Sequence, residues 1–150
     1  MNYQYQHHVL LAEDEVHLRY TLSLILKRNG YRVTAVSDGR AAFEIIQSLN
    51  DTSEQINMLI TDVKMPDLTG LELIDELEKQ HIKMPIIVIT GYGNREMWLK
   101  IFKMPMVDYI EKPFDPEDLL DLMKHVFQKH GYVLEDESAY FIQLRQQKTV

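Results

Sequence analysis

The sequence predicts an α/β fold of the doubly wound type, a single domain on a five-stranded parallel sheet. Two observations carry that prediction. Short apolar runs of strand length alternate five times with longer segments of helical periodicity, and the connections between them are short. The chain is 150 residues long, 45% hydrophobic and 26% charged, which suits one sizeable core in an ordinary globular protein. Repeated strand-helix units of this kind imply right-handed crossovers and a parallel sheet covered on both faces.

The elements follow in order. Val9-Leu10-Leu11-Ala12 is a short apolar run ending in Glu13-Asp14-Glu15, a buried strand that runs out into an acidic loop. Val16, Leu18, Tyr20, Leu22 and Leu24 then alternate as in a strand, but Leu18, Leu22, Ile25 and Leu26 also form one helical stripe. Length and the stop at Gly30 favour the helix. Tyr31 to Val36 reads as the second strand, and Asp38-Gly39 opens a helix with Ala42, Phe43, Ile46 and Leu49 on its apolar face. Met58-Leu59-Ile60 forms the third strand and closes on Asp62. Leu73, Ile74 and Leu77 mark a helix after the turn from Pro66 to Gly70. Ile86-Ile87-Val88-Ile89 is the fourth strand, followed by Thr90-Gly91-Tyr92-Gly93 and a helix from about Asn94 to Lys103. Pro105 should stop that helix by Met104. Val107 to Ile110 is the fifth strand. Asp115-Pro116 supplies an N-cap and a first-position proline to a last helix bearing Leu119, Leu120, Met123 and Phe127.

Composition excludes several classes of function. The formal net charge of -7, from 23 acidic and 16 basic residues, and the lack of a Lys/Arg block argue against direct nucleic-acid binding. With no cysteine, thiol catalysis, disulfides and thiolate metal sites are out. Residues 1–7 form a polar tail without an apolar signal core, and no run is long enough to span a membrane, so a cytoplasmic location is expected. His7, His8, His17, His81, His125 and His130 lack metal-cage spacing and are assigned ordinary surface roles. No glycine-rich loop follows the first strand, which argues against dinucleotide binding.

In an open parallel sheet the carboxyl ends of the strands share one edge, where ligands bind. Glu13-Asp14, Asp62, Thr90 and Lys112 all fall there. Three close carboxylates repel one another and attract a hard cation such as Mg²⁺. Such a cation attracts a phosphoryl group, whose oxygens Lys112 and Thr90 are suited to hold, with Asp62 as the accepting nucleophile.

Four segments together resemble the signature blocks of response-regulator receiver domains: Leu10-Leu11-Ala12-Glu13-Asp14-Glu15, Asp62-Val63-Lys64-Met65-Pro66-Asp67-Leu68-Thr69-Gly70, Ile89-Thr90-Gly91-Tyr92-Gly93 and Asp108-Tyr109-Ile110-Glu111-Lys112-Pro113-Phe114. The resemblance spans roughly residues 8 to 130, leaving 131–150 as a C-terminal extension. It implies a flavodoxin-like sheet of order 2-1-3-4-5 and phosphorylation of Asp62 by a sensor histidine kinase or phosphotransfer protein. Glu13, Asp14 and Asp62 would hold Mg²⁺ together with the Lys64 backbone carbonyl. Thr90 and Tyr109 would form the switch, Lys112 would contact the phosphoryl group, and the Lys112-Pro113 peptide would be cis. Lys64 and Tyr92 lie where they would tune phosphoryl lifetime.

Downstream of the switch the chain departs from its relatives. Bulky Trp98, Phe102, Met104 and Met106 stand where the family carries small residues, giving a candidate output surface for an unidentified protein partner or a homodimer. In the extension, Val133, Leu134, Phe141 and Leu144 fit one amphipathic helix that docks on the domain, mediates pairing or links to an effector. Two rival readings fit the residues less well. A phosphohydrolase with an aspartyl-phosphate intermediate usually needs an acid two residues after the nucleophile, where this chain has Lys64. A phosphorylation-independent scaffold would have no use for the complete set of Glu13, Asp14, Asp62, Thr90 and Lys112.

Overall fold

The computed structural model describes residues 6–91 and 95–131, and the N-terminal tail before residue 6, Tyr92 and the extension beyond Gly131 lie outside them. Five strands alternate with five helices: β1 (His8–Ala12), α1 (Val16–Arg28), β2 (Arg32–Val36), α2 (Gly39–Leu49), β3 (Met58–Asp62), α3 (Gly70–Lys79), β4 (Ile86–Thr90), α4 (Arg95–Lys103), β5 (Val107–Glu111) and α5 (Pro116–Lys129). The sheet is parallel throughout, in the order β2-β1-β3-β4-β5. The predicted fold class is therefore the observed one. The ambiguous segment after Glu15 is indeed a helix, closed at Asn29 and followed by Gly30 at φ +89°.

Alternation within the strands sorts the core onto two faces. Leu10, Leu59, Ile86 and Val88 pack beneath α2, α3 and Ile101 of α4, whereas Val9, Leu11, Ile60, Ile87 and Ile89 meet α1 and α5 through Leu22, Leu26, Met123 and Phe127. The central strands β1, β3 and β4 are buried at every position. Strands covered on both faces read as unbroken apolar runs, which is why these three were the easiest to locate. The edge strands β2 and β5 are partly exposed.

Local chemistry sets the helix starts. Glu15 caps α1 by accepting from the His17 and Leu18 amides, Asp38 caps α2 through the Ala41 amide, and Thr69 with Glu72 forms a capping box on α3. Asp115 occupies the N-cap position of α5 with Pro116 behind it, but its side chain makes no capping hydrogen bond. There the proline's fixed φ, rather than a side-chain cap, opens the helix.

His8 corrects the surface role assigned from sequence. It is 4% exposed, with Nδ1 2.8 Å from the Glu54 carbonyl oxygen and Nε2 2.7 Å from the Thr34 hydroxyl. Because the carbonyl can only accept, Nδ1 donates and Nε2 accepts from Thr34, so both nitrogens are satisfied in the neutral ring. Burial, then the Arg32 charge, lower the His8 pKa below its ordinary 6.5. The unfolded chain thus takes up the proton first as pH falls, and stability supplied by neutral His8 is complete above about pH 6.5 and is lost below it. His8→Gln should accordingly show a shallower loss of urea midpoint between pH 6.5 and 5 than the wild-type chain.

Candidate functional site

Chain order reverses at β1: β2 lies on one side of it and β3 on the other. That switch point leaves a crevice at the carboxyl ends of the strands. Asp62 ends β3, Thr90 ends β4, Glu13 and Asp14 follow β1 directly, and Lys112 follows β5. Side-chain oxygens of Glu13, Asp14 and Asp62 come within 4.8 Å of one another. Asp62, Thr90 and Lys112, with Asp14, Val63, Lys64, Gly91 and Met97, line a cavity of about 270 Å³.

The two acids after β1 differ sharply. Glu13 is fully buried, whereas Asp14 is exposed. The backbone places them so: the Glu13 amide donates to the Val36 carbonyl, extending the β1–β2 ladder by one residue and turning its side chain inward. Glu13 Oε1 accepts from the Glu15 amide at 3.2 Å, while Oε2 has no hydrogen-bond partner and lies 3.6 Å from Lys112 Nζ. Burial first, then the Asp62 carboxylate, push the Glu13 pKa up to about 7.

Lys112 ties the acids together. Its ammonium donates to Asp62 Oδ2 at 2.7 Å. Burial alone would lower its pKa, but the hydrogen bond and charge of Asp62, reinforced by Glu13, outweigh burial and raise it. The Lys112 amide donates to the Thr90 carbonyl at 2.8 Å, and the Lys112-Pro113 peptide is cis. The other Asp62 oxygen, Oδ1, accepts from the Lys64 amide at 3.3 Å, and the Lys64 side chain is exposed. The Thr90 hydroxyl is buried and has no hydrogen-bond partner.

Tyr109 is 37% exposed, and its ring meets Trp98 edge-on at 4.5 Å and Phe102 at 5.9 Å. The four bulky residues expected to form one output surface fall into two places. Trp98 and Phe102 join Tyr109 on the α4–β5 face, whereas Met104 and Met106 line a groove near the amino ends of β4 and β5. The helix ends at Lys103 before Pro105, so the chain turns away from the face on which Trp98 sits. Tyr92, assigned to lifetime tuning, lies outside the described residues.

Sequence reading passed over two features of the site. Met97 lines the cavity from the first turns of α4, hidden in a stretch that reads only as amphipathic helix. Gly70 abuts the Asp62 backbone: a Cβ there would stand 2.2 Å from the Asp62 carbonyl oxygen. A glycine that ends a turn carries no sign of such an approach, because the contact is made eight residues back along the chain.

A parallel five-stranded sheet of this order, with an acid cluster at its switch point and a lysine and a buried hydroxyl beside it, places the domain in the flavodoxin-like class. The chain matches the response regulator receiver domain over residues 9–124 and belongs to that family. It is 34% identical to nodulation protein W of Bradyrhizobium diazoefficiens over 113 residues, 75% of this chain and 48% of that protein. The transcriptional regulatory protein FixJ of the same organism is 28% identical over 78% of this chain and 55% of its own length. Among solved structures, FixJ-N superposes with a TM-score of 0.71 at 31% identity, covering 86% of this chain and 98% of that one. A CheY-like receiver from Methanospirillum hungatei gives 0.74 at 27% identity, covering 83% and 95%. The chain spans about half the length, or less, of the curated relatives it matches. No described helix is long and apolar enough to cross a membrane.

Proposed function

We propose that the chain is a phosphorylation-dependent switch in which Asp62 accepts a phosphoryl group from a phosphohistidine of a sensor kinase or phosphotransfer protein. The observation that carries this reading is the convergence of Asp62, Asp14 and Lys112 on one cavity, with buried Glu13 3.6 Å from Lys112 and a buried, unpartnered Thr90 hydroxyl beside them. An Asp62 oxygen attacks phosphorus, the O–P bond forms as the donor N–P bond breaks, and the electron pair leaves with the imidazole nitrogen. Lys112, already 2.7 Å from Asp62, neutralises charge on the transferred group, and Thr90 donates to one of its oxygens.

Mg²⁺ fits the donor set: hard carboxylate oxygens within 4.8 Å of one another, one of them buried without a hydrogen-bond donor. Glu13, Asp14, Asp62 and the Lys64 carbonyl would hold it, and when bound it would neutralise charge on the phosphoryl oxygens. A small phosphodonor with Mg²⁺, followed by intact mass, tests the proposal. The wild-type chain should gain one phosphoryl group and Asp62→Asn none. No gain on wild type, or an equal gain on the variant, would overturn it.

On phosphorylation Thr90 moves toward the phosphoryl oxygens and Tyr109 turns into the space it leaves, a shift between two packings. In this chain the edge-on contacts of Tyr109 with Trp98 and Phe102 oppose that turn. Aromatic pairs of this kind contribute roughly 1 kcal/mol. Trp98→Ala should therefore raise the population with Tyr109 inward by about fivefold. The position of the Thr90 amide resonance between its free and phosphorylated limits measures it. The output of the switch is a protein surface that includes the α4–β5 face.

A further inference from the structure

Arg19 is not among the side chains that line the cavity, yet it touches the backbone of the acid pair. It lies in the first turn of α1, half-buried, and reaches back over the start of the helix. Its Nη1 donates to the Glu13 carbonyl at 2.8 Å, with a longer contact of 3.4 Å to the Asp14 carbonyl. That nitrogen carries two hydrogens in a planar fork, so each carbonyl can have its own donor. The base from which Arg19 reaches is firm. Its amide donates to the Glu15 carbonyl at 3.0 Å, Glu15 caps the His17 and Leu18 amides, and Leu22 on the next turn is buried.

A peptide group is planar, so a bonded carbonyl fixes the orientation of its whole unit. The Glu13 carbonyl belongs to the unit before the Asp14 Cα, and the Asp14 carbonyl to the unit after it. Holding both sets the backbone angles of Asp14 and with them the direction in which its side chain leaves. Glu13 is aimed by burial and by its amide bond to Val36, whereas exposed Asp14 has no such enclosure. By charge alone, a guanidinium bonded to this loop would oppose a second cation among the three carboxylates. On the reading of these acids as a Mg²⁺ site, we infer that Arg19 is a positioning residue for the metal. It turns the Asp14 carboxylate toward Glu13 and Asp62, and this geometric effect outweighs its charge.

Titration of the folded full-length chain with Mg²⁺ alone, followed by the Asp14 and Asp62 amide resonances, tests this role. Arg19→Ala should weaken Mg²⁺ binding about tenfold, the scale on which groups that orient metal ligands act. Arg19→Lys keeps the charge and a single mobile donor group but not the fork, and should limit the loss to about threefold. It gives the same decision if Arg19→Ala does not fold. Asn29→Ala removes a side-chain bond to the Ile25 carbonyl at the far end of α1 and should keep the wild-type affinity. Unchanged binding in Arg19→Ala would overturn the proposal, and so would tighter binding, which would leave Arg19 a purely electrostatic role. Equal weakening in Asn29→Ala would overturn it too, reducing Arg19 to a stabiliser of the helix. No Mg²⁺ binding by the wild-type chain would overturn the metal reading itself, and this role for Arg19 with it.

Discussion

Gly70→Ala should destabilise the domain by about 3 kcal/mol, at the upper end of what overpacking costs, and should impair Asp62 as well. The added Cβ would lie 2.2 Å from the Asp62 carbonyl oxygen and 3.1 Å from the Val63 Cα, all backbone atoms without a rotamer to yield. The Asp62 carbonyl also accepts from the buried Thr61 hydroxyl, and the Gly70 amide donates to Val63, so movement there is resisted on both sides. Displacing α3 instead would disturb Leu73, Ile74 and Leu77 in the core. Gly39→Ala separates stability from function. Its Cβ would meet the Leu68 carbonyl oxygen at 2.1 Å, straining the same loop away from Asp62. Both variants should lower the urea midpoint. Phosphorylation per folded molecule should fall roughly tenfold or more in Gly70→Ala, since small misplacements of reacting groups carry large rate penalties. It should fall little in Gly39→Ala. Equal phosphorylation of the two would mean that Gly70 serves packing alone.

Glu13→Gln should stabilise the metal-free protein at pH 8 while weakening its response to Mg²⁺. Glu13 titrates near 7 in the folded chain against an ordinary 4.5, so the unfolded chain loses this proton first. Stability therefore falls as pH rises from about 4.5 to 7 and is flat above, a total on the order of 3 kcal/mol for such a shift. Glutamine lacks that slope, and the difference in urea midpoint between variant and wild type should grow over this interval. Mg²⁺ should reverse the ranking, because a cation among three carboxylates removes the repulsion. Below pH 7 the metal must displace the Glu13 proton, so apparent Mg²⁺ affinity of the wild-type chain should drop about tenfold between pH 8 and pH 6. A variant no more stable than wild type at pH 8 without metal would show that Glu13 is not held against its own charge.

How legible each feature was depended on how local its cause is. The runs Val9 to Ala12, Met58 to Ile60 and Ile86 to Ile89 are apolar because both faces of a central parallel strand are covered, so they announce themselves. The edge strand β2 was harder: Tyr31, read as its start, precedes the strand and packs against Phe127 of α5 instead. The five polar residues of the site were legible as strand endings because a parallel sheet sends all its carboxyl ends to one edge. Their unequal environments were not, since adjacent Glu13 and Asp14 look alike until one backbone bond to Val36 turns only the first inward.

By itself, the sequence determined the order of elements, the doubly wound class and the set of polar residues delivered to one end of the sheet, all of which follow from periodicity within short segments. Only the tertiary structure decided that Glu13 is buried against Asp62 and Lys112 and that Gly70 rests on the Asp62 carbonyl. It also placed His8 inside and separated Met104 and Met106 from Trp98 and Phe102. Each of these depends on contacts between elements, and the burial and charge they create belong to no single stretch of chain.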